Sequence, residues 1–460
     1  MNKKIKLFYI IKILIIIFFN SFLFYKNIFT KSDDITLNDC LNEIDYNISK
    51  HQNIKKKIKL GIYTYGLKGG GTERLTSIFI NYLSRIKIFN LYLLTQLEKE
   101  DHEFKITENI NRIVVENIYI LINEIRKLEI DILIYQFPKG NEIELLNNLK
   151  NIKIIFYENS CFLYWIYDNF EYFKSIYNAY KNCKYLISLI PFENDYLFKK
   201  WGLKSILMDN FVTFDYNYII PSDLSSKTIL MMGRGNDRLK RFDLGVESMK
   251  YIIKEIPDSK MIIISKLTVI NYLVKLVDLL QLQNCVKFVD YTSIPEIYFK
   301  NASLHIFPSI SEAFGLVLSE MKIYGIPTIL VGLDYITIAK GGTVILYDDD
   351  SRSIAKEAIK ILQNDTYRIK LGKEARKSMK KFNNELLLKK WVKLILSIYN
   401  DNNDFEISKI ETQTEKIKEN EAIQIINKQI ELLKNRRPEF EKMTINIIKN
   451  FSFIINFFSN

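Results

Sequence analysis

Cysteine and histidine are both scarce in this chain. Its 460 residues include only four cysteines and three histidines. The cysteine spacing matches neither a zinc site nor a Cys-x-x-Cys redox motif, so we predict no metal site. We expect mostly buried thiols, with one disulfide possible if the domain lies in an oxidising compartment. The four cysteines are Cys40, Cys161, Cys183 and Cys285.

The sequence also lacks a clustered basic region and internal repeats. The net charge is +12, but the lysines are scattered and no nucleic-acid-binding motif accompanies them. This pattern argues against nucleic acid as a partner. A membrane surface and an anionic ligand explain the charge better.

One long apolar run lies near the amino terminus, between Leu7 and Tyr25, interrupted by Lys12, Asn20 and Ser21. Its length is about what a bilayer core requires. We predict an uncleaved anchor over residues 1–25, with a cleaved signal or a buried or peripheral helix as alternatives. The lysines before the run give a modest positive-inside bias. They predict a single-pass membrane protein whose remaining chain faces the lumen of the secretory pathway, with the cytosolic face as the alternative.

The rest of the chain alternates short apolar runs with helical patterns. Such alternation is typical of parallel, doubly wound α/β sheets, and the length allows two domains plus extensions. A polar stretch from Thr213 to Lys227 predicts the domain boundary. The predicted organisation is a stem over residues 26–56, a first Rossmann-like domain over 57–215, a second over 226–385, a helix over 386–400, and a polar tail with an aromatic end over 401–460.

Two carboxylates eight residues apart, Glu312 and Glu320, flank a Phe-Gly turn. The turn separates a predicted strand, Leu304 to Pro308, from a predicted helix, Leu316 to Tyr324. The unpaired N–H groups at such a helix start suit an anion such as a diphosphate, and carboxylates accept hydrogen bonds from neutral hydroxyls. The alternative is that Glu312 caps the helix and Glu320 is solvated.

A cation-rich loop follows the predicted strand Thr228 to Met232. Arg234 at the strand end can contact a phosphate in bidentate fashion, and Lys240 adds a point charge to the same group. We expect Arg238 and Arg241 to be solvated. A dinucleotide site is the weaker interpretation, because the third glycine of G-x-G-x-x-G is missing.

A glycine-rich turn precedes a helix whose apolar face begins at Leu75. Glycine lets the backbone approach a ligand closely, which makes Gly70 and Gly71 candidates for such an approach. By itself, a turn of this kind is not specific.

Together, the three motifs resemble the retaining, GT-B-type glycosyltransferases of family 4, also described as glycosyl transferases group 1. The resemblance covers about Lys57 to Tyr399, and every element of the Pro-Ser … Glu-x-Phe-Gly … Glu … Gly-x-Pro frame is present. It implies two Rossmann-like domains facing a central cleft. It also implies a UDP- or GDP-sugar donor and a glycan or lipid-linked acceptor, with no metal cofactor.

The resemblance also implies a role for each motif. Arg234 and Lys240 would neutralise the leaving diphosphate, Glu312 would hold hydroxyls of the transferred sugar, and Glu320 would hold the ribose. Backbone contacts with the donor are implied for Gly70, Gly71, Phe314, Gly315 and Leu316.

The chain departs from the family at one strand end. The family often has a histidine there, near the reacting sugar, whereas this chain has Asn159; His51, His102 and His305 are not placed to replace it. An amide cannot exchange a proton at neutral pH, but a diphosphate leaving group can take the acceptor's proton. Two hypotheses follow: a hexosyltransferase and, as the alternative, a non-catalytic nucleotide-sugar-binding partner of another glycosyltransferase.

Overall fold

The computed structural model describes residues 40–45 and 56–401, apart from positions 137, 139, 163, 164, 166–169, 192, 195, 196, 198–200, 235–237 and 293. The predicted anchor over 1–25, most of the stem and the tail beyond 401 lie outside the described residues. Within the described part, no helix is long and apolar enough to cross a bilayer. The anchor and its topology therefore stay predictions.

The first lobe is built on a seven-stranded sheet. Its strands are β1 Ile58–Thr64, β2 Phe89–Thr95, β3 Asn111–Val114, β4 Ile132–Tyr135, β5 Lys153–Tyr157, β6 Tyr185–Ser188 and β7 Ile206–Leu207. Its helices are α1 Gly71–Leu83, α2 Ile118–Leu128, α3 Ile143–Asn148 and α4 Phe170–Asn182. The strand order is β3-β2-β1-β4-β5-β6-β7, and every pair with a described register is parallel.

The second lobe contains a six-stranded parallel sheet in the order β10-β9-β8-β11-β12-β13. Its strands are β8 Thr228–Met232, β9 Lys260–Ile264, β10 Val286–Val289, β11 Leu304–Phe307, β12 Thr328–Val331 and β13 Thr343–Leu346. The helices that follow are α5 Phe242–Glu255, α6 Asn271–Leu279, α7 Glu296–Phe299, α8 Leu316–Ile323, α9 Ser351–Gln363, α10 Asp365–Ser378 and α11 Asn384–Tyr399.

Strand β8 shows why its sequence is an unbroken apolar run. Ile229 and Met231 are buried in one hydrophobic cluster, whereas Leu230 and Met232 are buried in another. Because successive side chains of a strand point to opposite faces, both faces of this sheet are covered. The strand order reverses between β8 and β11, and in the first lobe between β1 and β4. Ligands of open α/β sheets bind outside the carboxyl ends of the strands at such points.

Helix α11 returns from the second lobe and packs on the first. Trp391 is fully buried, with its ring centroid 4.6 Å from that of Phe79 and 5.1 Å from that of Tyr157. At the start of the helix, the Asn384 side chain accepts a hydrogen bond from the Val212 N–H at 2.9 Å and donates one to its carbonyl at 2.9 Å. The apolar face of α11 and the Asn384 side-chain amide therefore join the second lobe to the first.

Residues 40–45 form a helical segment that groups with Arg85–Phe89 in a second unit. An ion pair joins Lys87 and Asp45 at 3.1 Å, with the lysine side chain 79% exposed. Pairs this exposed contribute little to stability.

The structure contains no disulfide among the four cysteines, all of which are described. Cys40 and Cys161 are buried, and Cys183 and Cys285 are half-buried. The expectation of mostly buried thiols therefore holds for two of the four cysteines.

Candidate active site

The predicted site residues lie at the carboxyl ends of strands at or next to the switch points. In the first lobe these are the loops after β1 and β5, and in the second lobe the loops after β8 and β11. A Cβ atom built on Gly71 of the first lobe would lie 3.6 Å from Cδ1 of Leu316 in the second. The carboxyl edges of the two sheets therefore face each other. Residues after these strands include Gly70, Gly71, Asn159, Arg234, Lys240, Glu312, Phe314, Gly315, Leu316 and Glu320.

Glu312 and Lys240 form an ion pair within the second lobe. The Lys240 Nζ donates to Glu312 Oε1, and their side chains are 18% and 13% exposed, respectively. Lys240 ends a short 3-10 turn after β8, and Glu312 lies in the loop after β11. Because β8 and β11 are neighbours in the sheet, the topology brings the two residues together. The pair places a cation and a hydrogen-bond acceptor side by side at the sheet edge.

Glu320 lies on α8 and is fully buried. Its Oε1 is 2.8 Å from Arg74 Nη1 of the first lobe and accepts a hydrogen bond from Thr213 Oγ1 at 2.7 Å. Burial raises the pKa of Glu320, whereas the charge of Arg74 and the Thr213 hydrogen bond lower it; the net shift is upward. Oε2 has no hydrogen-bond partner among the described residues. No local sequence pattern predicts Arg74 and Thr213 as partners of this carboxylate.

A cluster of charges from both lobes surrounds Tyr291, which follows β10. Burial raises the pKa of its hydroxyl; the charges of Arg74 and Arg234 lower this pKa, and those of Glu320 and Glu73 raise it. Arg234 itself is exposed at the end of β8. Burial also raises the pKa of Glu73, while a hydrogen bond to its own backbone N–H and the charge of Arg234 lower it. Tyr291, which is 42% exposed, therefore lies within electrostatic reach of charges from both lobes, a placement that no local sequence pattern predicts.

The start of α8 leaves backbone N–H groups without a side-chain cap. Gly315 is the N-cap residue, with φ +84° and no capping hydrogen bond. A side chain in that conformation would be strained, which explains the glycine. Phe314 is buried, with its ring 5.6 Å from that of Phe382. Uncapped N–H groups at a helix start form an anion-binding arrangement.

Asn159 follows β5, where the sequence placed it. Its Nδ2 donates to the Tyr157 carbonyl at 3.3 Å, and its buried Oδ1 has no hydrogen-bond partner among the described residues. The adjacent Glu158 is already satisfied, because it accepts hydrogen bonds from Ser160 Oγ at 2.5 Å and the Tyr180 hydroxyl at 2.8 Å. Asn159 therefore offers an unused acceptor at this strand end.

Two other polar residues have structural roles. His305 is buried in β11 with its Nδ1 3.2 Å from Thr328 Oγ1, and burial lowers its pKa to about 3. The prediction that Arg241 is solvated is wrong, because its side chain is 9% exposed and pairs with Asp243 at 3.3 Å and Asp349 at 2.5 Å. Two carboxylates compensate the desolvation of this guanidinium.

No group of three or more histidine, cysteine, aspartate or glutamate side chains in the described part of the chain is placed to hold a metal ion. The expectation that no metal is needed for activity stays a prediction.

Residues 218–378 match a family model described as Glycosyl transferases group 1. The matched segment contains the second lobe's ion pair and α8. A search of curated proteins found no match to this chain.

Solved structures of glycosyltransferases have a similar fold. Sucrose-phosphate synthase from Thermosynechococcus elongatus has a TM-score of 0.65 at 15% identity, covering 75% of this chain and 100% of that one. Anabaena HepE, solved with UDP-glucose, has a TM-score of 0.60 at 14% identity, covering 74% and 99%. WaaG, a glycosyltransferase of lipopolysaccharide biosynthesis, has a TM-score of 0.57 at 15% identity, covering 73% and 99%. The two parallel-sheet lobes are thus Rossmann-like domains in the GT-B arrangement. The group 1 domain and this fold support a glycosyltransferase.

Proposed function

We propose that the protein transfers a hexosyl group from a UDP- or GDP-sugar to a hydroxyl of a glycan or lipid-linked acceptor, with retention of configuration. The observation that carries this proposal is the convergence of two cations, two carboxylates and an uncapped helix start between the facing sheet edges. The cations can pair with phosphates, and the carboxylates can accept hydrogen bonds from sugar hydroxyls. A sugar diphosphate presents both kinds of group. The complex of HepE with UDP-glucose supports the choice of donor.

The cations would act on the leaving group. When the bond between the sugar C1 and the diphosphate oxygen breaks, negative charge develops on the diphosphate. Arg234, Lys240 and the N–H groups at the start of α8 would stabilise that charge. A donor diphosphate that binds Lys240 would also release Glu312 from its ion pair, leaving the carboxylate to accept hydrogen bonds from the sugar.

The acceptor side has no ionisable group at Asn159. The acceptor oxygen would form its bond to C1 on the face from which the diphosphate departs. Its proton would pass to the leaving diphosphate oxygen, so no protein base is required. Asn159 Oδ1 would orient the acceptor or the sugar by a hydrogen bond.

The amide at this position also favours the second candidate, a non-catalytic nucleotide-sugar-binding partner. Calorimetry with UDP and GDP, followed by hydrolysis and transfer assays with a panel of labelled nucleotide sugars, separates the two. Turnover of one donor is expected, whereas binding without turnover would favour the partner.

The Arg234→Ala variant tests the assigned chemistry. We expect it to lose donor turnover while keeping the fold, because Arg234 is exposed. Circular dichroism and a thermal melt would check the fold. Transfer at the wild-type rate by Arg234→Ala would contradict the assignment.

A further inference from the structure

Arg241 has a backbone conformation that is unusual for its position. It is the N-cap residue of α5, with φ +46° and ψ +43°, in the left-handed region. N-cap residues normally adopt an extended conformation, whereas left-handed residues typically follow helix ends. Of the six non-glycine residues with positive φ in the described part of the chain, Arg241 alone is the N-cap of a described helix. Because this conformation costs free energy for a residue with a side chain, the surrounding structure must hold it.

The Arg241 side chain does not cap the helix that it precedes. Its guanidinium instead pairs with two carboxylates, with Nε 3.3 Å from Asp243 Oδ2 and Nη1 2.5 Å from Asp349 Oδ2. The three side chains are 9%, 4% and 15% exposed, and breaking a buried pair of this kind is costly. Asp243 belongs to the first turn of α5, and Asp349 lies in the loop after β13. The guanidinium is therefore anchored at two points of the second lobe.

Helix α5 is a fixed reference for the chain that precedes it. Phe242, Val246 and Met249 of this helix are buried in a hydrophobic cluster of the second lobe. A close-packed core resists displacement of its members, so the helix cannot shift freely. The φ and ψ angles of Arg241 therefore set the direction in which residues 238–240 lead away from α5.

That direction places Lys240 in the candidate site. The Leu239 carbonyl accepts a hydrogen bond from the Ile310 N–H at 2.7 Å, which joins the turn to the loop that leads to Glu312. A Cβ atom built on Gly233 would lie 4.0 Å from both Cγ and Cδ of Lys240, so the lysine stem runs beside the end of β8. The ammonium at the end of this stem donates to Glu312. The path of the turn thus decides where the charge of Lys240 lies.

We infer that Arg241 is a positioning residue, whose left-handed backbone, anchored through Asp243 and Asp349, directs Lys240 toward Glu312 and the leaving diphosphate. Arg241 itself need not touch the ligand. The inference rests on the proposed role of Lys240 in neutralising the diphosphate. It differs from a purely stabilising role of the ion pairs, because it assigns the effect on activity to the backbone conformation.

Glycine and alanine at position 241 separate these two roles. Both Arg241→Gly and Arg241→Ala remove the guanidinium and leave the same two carboxylates unpaired, but glycine adopts the left-handed conformation without strain. We expect Arg241→Gly to keep kcat for transfer within about threefold of the wild-type value. In Arg241→Ala, kcat should fall about tenfold or more, because small misplacements of catalytic groups are costly. Equal kcat values for the two variants, whether high or low, would overturn the inference.

Gln281 offers a matched control for the exchange of alanine and glycine. It is exposed, has φ +59°, and lies between α6 and β10, at the edge of the same sheet that faces away from the candidate site. Gln281→Ala and Gln281→Gly should have equal kcat values. A difference between them as large as that at position 241 would show that left-handed residues affect the rate wherever they lie, and would contradict a specific effect on Lys240.

Double variants test whether Arg241 acts through Lys240. Lys240→Ala/Arg241→Ala should be no slower than Lys240→Ala alone, because misdirecting an absent ammonium has no further effect. A slower double variant would contradict this route. Asp349→Ala keeps the contact with Asp243 and serves if loss of the whole guanidinium prevents folding. It should lower kcat severalfold in the wild-type background and not at all in Arg241→Gly, and a loss in both backgrounds would contradict anchoring through Arg241.

A second measurement does not depend on transfer. Hydrogen exchange followed by peptide mass spectrometry reports whether the Ile310 N–H stays bonded to Leu239. We expect severalfold faster exchange in the peptide containing Ile310 in Arg241→Ala, but not in Arg241→Gly. Unchanged protection in Arg241→Ala would overturn the placement of the turn. If the wild-type protein transfers no sugar but Arg241→Ala alone loses this protection, the proposed function fails while the positioning role of Arg241 stands.

Discussion

Glu312 and Glu320 belong to one short motif, yet their surroundings differ. Glu312 lies in a loop, with its side chain 13% exposed, and pairs with Lys240 of its own lobe. Glu320 lies on a helix, is 0% exposed, and pairs with Arg74 of the other lobe at 2.8 Å. A pair at the sheet edge can exchange partners with a ligand at little cost. A pair whose carboxylate is fully buried cannot, because breaking it leaves a desolvated charge.

This difference separates two tasks within the site. The Lys240–Glu312 pair is suited to ligand exchange, and the Arg74–Glu320 pair to holding the lobes together. Only Oε2 of Glu320 remains for a ligand hydroxyl, since Oε1 already has two partners.

The largest effect should come from Lys240→Ala. Removing a cation that stabilises the leaving group is expected to lower kcat by about 10²–10³-fold, as for other preorganised electrostatic groups. The free energy of unfolding should change little, because Glu312 can reach water. Steady-state kinetics and urea titration would measure the two quantities.

Arg352→Ala is the matched control, because Arg352 is 72% exposed and pairs with Asp350 in the same lobe. It should leave kcat unchanged. A comparable loss in both variants would show that net charge, rather than the Lys240 position, controls the rate.

The second-largest effect is expected on stability, in the Arg74→Ala variant. Loss of the guanidinium leaves Glu320 buried with one neutral partner, and we expect unfolding to become easier by about 1–3 kcal/mol. Urea titration at pH 7 would measure this. Lys127→Ala, which breaks an exposed pair with Glu124 on α2, should change stability by less than about 0.5 kcal/mol.

The stability of the same variant should depend on pH in a defined direction. Burial raises the pKa of Glu320 above its ordinary 4.5, and losing Arg74 raises it further. A carboxyl group with a raised pKa favours the folded state below its ordinary pKa, and this contribution is lost as pH rises through the folded value. The loss of unfolding free energy in Arg74→Ala, relative to the wild type, should therefore be smaller at pH 5 than at pH 7. A loss that is larger at pH 5 would contradict a charged Glu320 as its cause.

Asn159→Ala should have a smaller effect, about fivefold on kcat, because one neutral hydrogen bond is worth about 1 kcal/mol. Asn159→His sharpens the test. An active histidine variant should acquire a dependence of kcat on pH near the ordinary histidine pKa of about 6.5, which the wild type lacks. Rates over pH 5 to 9 for the three proteins would show it. A wild-type rate that titrates near that value would place an ionisable group elsewhere in the site.

The smallest effect expected is that of metal removal. Because Arg234 and Lys240 are proposed to neutralise the diphosphate, incubation with EDTA should leave the rate of donor turnover unchanged. Activity that disappears in chelator and returns with manganese would contradict this assignment.

Local sequence patterns predicted the central strands well. Strands β8 and β11 lie where unbroken apolar runs predicted them, because both of their faces are buried. Strands β3 and β13, in contrast, lie at sheet edges and have no buried residue, so their sequences lack the apolar signal of a buried strand.

The chemical groups that end each strand follow from local sequence, because glycine turns, strand ends and helix starts are local features. The partners of these groups depend on the packing of distant parts of the chain. The contact of Arg74 with Glu320 joins residues far apart in the chain, and so does the pair that buries Arg241 against Asp349. Periodicity shows which face of an element is apolar, but it carries no information on which charge of another element will lie opposite. That choice depends on how two complete sheets pack edge to edge.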